Sequence, residues 1–346
     1  MTRPVPSPDD AVLAAAELAP RLAERATSLE QDGVIRSDVA LLAEAGLLAV
    51  TGPPELGGVP RPAQREVAEL LSGASPDLWF VWFQHGPVVK MLSGSQNTAL
   101  QERYLARLCR GELQGGVAWS NLRTARPSVD AVRVEDGWLL TGPQPWCTGW
   151  PMVDVILVGG LARESGQVVF GIVERGTPGL TSTGELGLAS MAGTSTHAVR
   201  FDELHLPDAA VVLVAPYDTW ALSDTAANRN VQPSTFGIAL AALDLLQERA
   251  PETADAMRRR VLDLRERAYR LLDEADPAEH GDERLELRAA ALLLGIECCT
   301  ALLASRGGRG MGLDDPAQRL LRAAAFQLVH SQAEHVRQAT LVALAD

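Results

Sequence analysis

The stretch of this chain best suited to chemistry is Thr141-Gly142-Pro143-Gln144-Pro145-Trp146-Cys147-Thr148-Gly149-Trp150, where tryptophans flank a Cys-Thr pair in a turn-dense run of Gly and Pro. A large flat apolar ring beside small hydrogen-bonding groups suits a planar cofactor such as a flavin. The same residues would also make a tryptophan-rich packing corner, and the stretch alone leaves both readings open. A second group, Trp79, Phe80, Trp82 and Phe83, ends at His85-Gly86-Pro87. It forms either a pocket wall, with Trp82 and His85 lining it, or packed aromatic core.

The composition removes several alternatives. A length of 346 residues with 47% apolar and 22% charged residues is globular and long enough for two or three domains. A formal net charge of −13 argues against nucleic acid or an anionic membrane as a partner. Lys90 is the only lysine, so any anionic ligand would be met by arginines. Cys109, Cys147, Cys298 and Cys299 show no CxxC spacing, and neither a metal site nor a disulfide framework is expected. No apolar run of about 18 residues is free of charge, and the N-terminus lacks a signal pattern, so a cytoplasmic location is expected.

The elements that must position these residues fall into three blocks. Ser7-Pro8-Asp9-Asp10 is a helix start, with Ser as cap and Pro at the first helical position. Helical spacing then predicts elements to about residue 31, from 37 to 45, and over 61–112 with breaks near Gly73–Pro76 and Gly94. From Gly116 to about Leu213 the period changes to short Val/Ile/Thr-rich runs with turns every eight to twelve residues or so, which reads as an antiparallel sandwich or barrel. Candidate strands are 129–134, 138–141, 153–158, 168–173, 198–201 and 211–214. Beyond Asp218 four long helices are expected, 223–248, 251–275, 282–306 and 314–343, packed as an antiparallel bundle. The domains are therefore read as 1–113, 114–216 and 217–346: an α+β chain of N-terminal helices, central β domain and C-terminal four-helix bundle.

This order resembles the acyl-CoA dehydrogenase superfamily, and local motifs agree. Pro53-Pro54-Glu55-Leu56-Gly57-Gly58 is similar to the family's Pro-Glu-x-x-Gly-Gly turn. Gly116-Val117-Ala118-Trp119-Ser120-Asn121 sits where the family enters its β domain beside the flavin ring. Leu140-Thr141-Gly142 followed by Trp146-Cys147-Thr148 resembles the stretch whose Trp and Thr lie against the isoalloxazine. Phe201 to Pro207 and Gly307-Gly308-Arg309-Gly310-Met311 match two further family segments. The resemblance implies a homodimer or homotetramer that binds FAD between subunits and oxidises an acyl thioester on CoA or a carrier protein, with a carboxylate taking the α proton.

This chain departs from the pattern twice. The usual base lies in a motif whose counterpart here is Val329-His330-Ser331-Gln332-Ala333-Glu334-His335-Val336-Arg337, so His330 stands for the Glu. The alternative base position, before an Arg on an earlier helix, holds Asn228. The loop that helps to hold the FAD pyrophosphate is deleted after Gln247, leaving Arg306 and Arg309 as the cations near Gly307 and Gly308. Superfamily monooxygenases that use reduced flavin and O₂, such as dibenzothiophene monooxygenases and nitrososynthases, also lack that Glu. The expected site is therefore His330 and Ser331 as reacting groups, with Trp119, Ser120, Trp146, Cys147, Thr148, Arg306, Gly307 and Gly308 toward the cofactor. Trp82, His85 and Asn228 would line the pocket for a small-molecule substrate. FAD is the expected cofactor, with FMN, transiently bound reduced flavin and a flavin-free descendant as the alternatives.

Overall fold

The computed structural model describes residues 8–331 and 333–345; Ser7, the expected helix cap, and Gln332 lie outside the described residues. The chain opens with α1 (Pro8–Gln31), α2 (Arg36–Glu44), α3 (Arg61–Ala74), α4 (Pro76–Ser93) and α5 (Thr98–Cys109). Ser75 starts α4 by accepting a hydrogen bond from Leu78 N, and Pro76 fills a first position that needs no N–H.

Eight strands follow: β1 (Gly115–Ala118), β2 (Asp130–Val134), β3 (Gly137–Cys147), β4 (Val155–Ala162), β5 (Gln167–Glu174), β6 (Leu180–Glu185), β7 (His197–Pro207) and β8 (Val211–Pro216). They form one sheet in the order β6-β7-β3-β2-β4-β5-β8, with β1 added against β4. The sheet is mixed rather than antiparallel, because β1 and β4 run parallel from Gly115↔Val155 to Ala118↔Val158. The chain leaves β1, makes the β2–β3 hairpin, and returns to β4 in its original direction. Alternate residues of β4 serve opposite faces: Val155 and Leu157 pack with α4 and α5, while Ile156 and Val158 pack with Leu204 and Leu206 of β7.

Thr141 to Cys147 was expected to be turn-rich, but it is the second half of β3. Gly142, at φ 146°, lies so close to Ser128 O that a Cβ would come within 2.0 Å of it. Pro143 and Pro145 are tolerated because β2 pairing ends at Thr141, leaving one side of β3 as an edge.

The C-terminal region holds α6 (Tyr217–Asn228), α7 (Pro233–Gln247), α8 (Pro251–Glu274), α9 (Gly281–Arg306), α10 (Pro316–Gln327) and α11 (Glu334–Ala345). Two of the four expected helices are thus each split in two. Pro233 restarts the chain as α7, and Ser331 takes a left-handed φ of 51° between α10 and α11. The two helical regions share one core, in which Leu29, Leu71 and Trp79 pack with Phe236, Leu243 and Leu302. The contact of α3 with α7 is tight enough that a Cβ on Gly237 would meet Glu69 O at 2.2 Å. Gly281–Met311 is long and apolar enough to cross a membrane by length and composition, yet its α9 portion buries Leu287, Leu292, Cys298, Cys299 and Leu302 in the bundle.

Candidate active site

His330 follows the last turn of α10 and enters an aromatic box. Trp79, Phe80 and Phe83 of α4 present ring edges or faces at centroid distances of 5.9, 5.1 and 5.2 Å, and Phe326 stacks on it at 5.1 Å. These α4 residues share a face by helical spacing. The imidazole is 8% exposed; Nε2 meets Ser331 Oγ at 3.2 Å, and Nδ1 has no partner among the described residues. Trp79 Nε1, beside it, is also buried without a partner. Burial first, then the Arg288 and Arg123 cations, push the imidazolium pKa down to about 3. At neutral pH His330 is therefore an uncharged ring.

A polar chain connects this box to the sheet. Arg288 of α9, 1% exposed, donates Nη2 to His330 O at 3.0 Å and Nη1 to the carbonyls of Asn228 and Asn230. Asn228 Nδ2 donates to the Asp224 carboxylate at 2.8 Å. Arg123 grips the same carboxylate with Nε at 2.9 Å and Nη2 at 2.8 Å, while lying 4.6 Å over the Trp119 ring. The structure thus brings Trp119, Asn228, His330 and Ser331 into one connected set. Arg123, Asp224 and Arg288 complete it, and sequence reasoning did not find them. Only Arg288 left a trace, as a charge inside an apolar helical run.

The strand side of the site centres on Gln144, which is fully buried. Its Oε1 accepts from Asn121 N and Nδ2 at 3.2 Å each, and its Nε2 donates to Ser120 Oγ at 2.7 Å and Trp146 O at 3.1 Å. Ser120 therefore uses its oxygen as an acceptor and keeps its O–H. Trp146 is 48% exposed, whereas Thr148 is buried and accepts from Thr196 Oγ1 at 3.0 Å.

Several expected residues face elsewhere. Cys147 points into the sheet core, where burial pushes its thiol pKa up to about 12, so it presents no side chain to a cofactor. Trp82 donates Nε1 to Leu47 O at 2.8 Å, and His85 Nδ1 accepts from Gly115 N at 3.0 Å. His85 lies on the far side of α4 from Trp79 and Phe83, and the Trp82 indole is turned to the Leu47 carbonyl, so both hold backbone rather than line the His330 box. Arg306 is paired with Asp315 at 3.3 Å, and the space beside Gly307 and Gly308 is open. Two clefts of about 530 and 620 Å³, between α5 and the β4–β5 edges and between α9 and α11, contain none of these residues. Among the described residues no cluster of three or more His, Cys, Asp or Glu could hold a metal ion.

Helices, a mixed sheet and a second helical region meeting at one polar junction define a three-part α+β scaffold whose site lies where the parts touch. Residues 11–112 match the acyl-CoA dehydrogenase N-terminal domain family. Isovaleryl-CoA dehydrogenase of Pongo abelii is 27% identical over 49% of this chain and 43% of its own. Isobutylamine N-hydroxylase of Streptomyces viridifaciens is 25% identical over 49% of this chain and 47% of its own. The matched stretches span about half the length of these relatives. Butyryl-CoA dehydrogenase of Megasphaera elsdenii superposes with a TM-score of 0.79 at 16% identity, over 100% of this chain and 99% of that one. Residues 11–112 thus carry the acyl-CoA dehydrogenase N-terminal domain, and the chain as a whole has the fold of an acyl-CoA dehydrogenase.

Proposed function

We propose that the protein is a flavin-dependent oxidoreductase acting on a small, specialised substrate, with His330 as a neutral hydrogen-bonding group in place of a carboxylate base. The observation that carries this reading is the aromatic box around His330. Taking a proton there would create an imidazolium in a dry enclosure, beside the Arg288 cation and with no carboxylate against it. A carboxylate at the same place would lose charge on protonation, and His330 would gain it. The exchange therefore disfavours α-proton abstraction and leaves a ring suited to orienting a substrate polar group through Nδ1, next to Trp79 Nε1.

The strand side fits a flavin ring in part. Ser120 has a free O–H, Trp119 Nε1 is buried without a partner, and Trp146 offers a half-exposed face. These residues, with Thr148, would hold the ring. When bound, the flavin supplies the two-electron redox chemistry, as hydride acceptor or, reduced, as the partner of O₂. The fit is poorer at the phosphate end, where Arg306 is committed to Asp315. That favours FMN or transiently bound reduced flavin over tightly held FAD, and it supports a flavin-free, non-redox descendant as the second reading.

Absorbance of the untreated protein, followed by titration with FAD, FMN and reduced flavin, tests the proposal; no uptake of any of them refutes it and selects the second reading. Product formed anaerobically with an artificial electron acceptor would identify the dehydrogenase branch, with a CoA- or carrier-linked acyl substrate. Strict O₂ dependence would identify the monooxygenase branch. A homodimer or homotetramer, implied by the resemblance, belongs to the same proposal and is read by sedimentation.

A further inference from the structure

Arg288 is a buried cation to which, among the described residues, no acidic side chain is bonded. Three of its N–H groups go to backbone carbonyls, those of Asn228, Asn230 and His330, and its Nε has no partner. Asn228 and His330 are the residues that the resemblance sets at the two base positions, and they are 102 residues apart in sequence. We infer that Arg288 is the positioning residue of this site: a single guanidinium ties the end of α6 to the end of α10, so that Asn228 and His330 form one unit with a cation fixed behind the imidazole.

The arrangement has a clear physical basis. The carbonyls at the end of a helix lack intrahelical partners and carry the negative end of its dipole. Arg288 meets two such ends at once, and its planar fork can bond several carbonyls in a fixed geometry, which an ammonium cannot. The unit extends further, since Asn228 holds Asp224, which holds Arg123 of the sheet side. Among the described residues, the two cations that lower the His330 pKa, Arg288 from α9 and Arg123 from the segment after β1, are both held by this network, while the box residues of α4 and α10 are uncharged. Displacing the guanidinium would free the end of α6, free the end of α10 and change the charge facing the ring.

This inference rests on the reading that His330 faces the substrate, but its test needs neither flavin nor turnover. The wild type, Arg288→Gln and Arg288→Lys are labelled with ¹⁵N-histidine; His330→Asn assigns the resonance among the six histidines. The wild-type ring is expected to stay neutral from pH 8 to about 5, and Arg288→Lys, which keeps the charge, should behave likewise. Arg288→Gln should bind its proton at least tenfold more tightly, the size of a neighbouring unit charge. A wild-type His330 that titrates near its ordinary value of about 6.5 overturns the inference whether or not the Gln variant folds. So does an unchanged titration in a folded Arg288→Gln. Hydrogen exchange of Arg288→Lys supplies the second readout: residues 225–230 and 326–331 should loosen together, and loosening of one alone refutes the coupling. Failure of the wild type to bind any flavin would sink the functional reading and leave these outcomes standing.

Discussion

His330→Phe keeps an aromatic ring in the box while removing the titratable group, and its main effect should appear in the pH dependence of stability. The folded imidazole holds no proton above about pH 3, whereas the unfolded chain takes one below the ordinary histidine value of 6.5. Between those values the unfolded state binds more protons, so falling pH destabilises the native protein. The cost is about 1.4 kcal/mol per unit, or roughly 2 kcal/mol on going from pH 6.5 to 5. His85, whose burial lowers its pKa to about 4, acts in the same direction. Asp77 acts in the opposite one. Burial and Glu30 raise its pKa to about 7, so the native state holds a proton there that the unfolded chain releases above about 4, and its contribution is lost as pH rises through 7. These groups are common to wild type and variant, and the difference between the two isolates His330. Urea unfolding followed by tryptophan fluorescence between about pH 5 and pH 7 should show the variant gaining roughly 2 kcal/mol relative to wild type at the acid end. Parallel stability curves would refute the placement of His330 as a buried neutral ring.

Gln144→Leu strands the Asn121 donors in a buried setting and should cost about 1–3 kcal/mol in urea unfolding; a neutral effect would mean that the Gln144 bonds do not hold the Ser120 turn. Trp146→Ala should change stability by less than about 0.5 kcal/mol because the side chain is half exposed. The same variant should weaken flavin binding by about 1 kcal/mol, roughly fivefold, in a fluorescence titration; equal affinity removes Trp146 from the ring platform. Cys147, buried and with its thiol pKa raised to about 12, should resist iodoacetamide in the native protein and react after denaturation. Rapid native labelling, located by mass spectrometry, would contradict its inward orientation.

The change of period near Gly115 made the passage from helices to strands legible, as did the return to helical spacing after Pro216. Strand pairing was not legible, because periodicity says which face a residue takes and not which strand lies beside it. That is why the parallel β1–β4 pair was missed. Cys147 was grouped with Trp146 and Thr148 as a turn residue; in an extended strand, neighbours point to opposite faces, and Cys147 goes inward. Helical spacing, applied to α4, would have separated His85 from Trp79 and Phe83, though not Trp82, which lies three residues from Trp79. No spacing argument could have joined Arg123 to Asp224, 101 residues away. The pairing exists only because α6 lies across the segment that follows β1.

The two unexpected helix breaks and the site occupy the same place, and the buried arginines of α9 explain how the breaks are tolerated. A helix that stops in a dry interior exposes carbonyls that must find donors. Arg284, 2% exposed, bonds Leu271 O at 3.0 Å and Asp276 O at 3.1 Å at the end of α8, and reaches Asn230 Oδ1 at 2.6 Å. One turn on, Arg288 takes the ends of α6 and α10. Arginines four residues apart on one helix thus cap three others, with helix dipoles standing where counter-carboxylates would otherwise be needed. An unbroken helix over 223–248 or 314–343 would keep those carbonyls in its own ladder and leave Arg288 a buried cation without acceptors. Asn228-Arg229-Asn230 and Pro233 interrupt the apolar pattern at the first break, and His330 to His335 at the second; the α9 arginines meet the carbonyls freed beside His330.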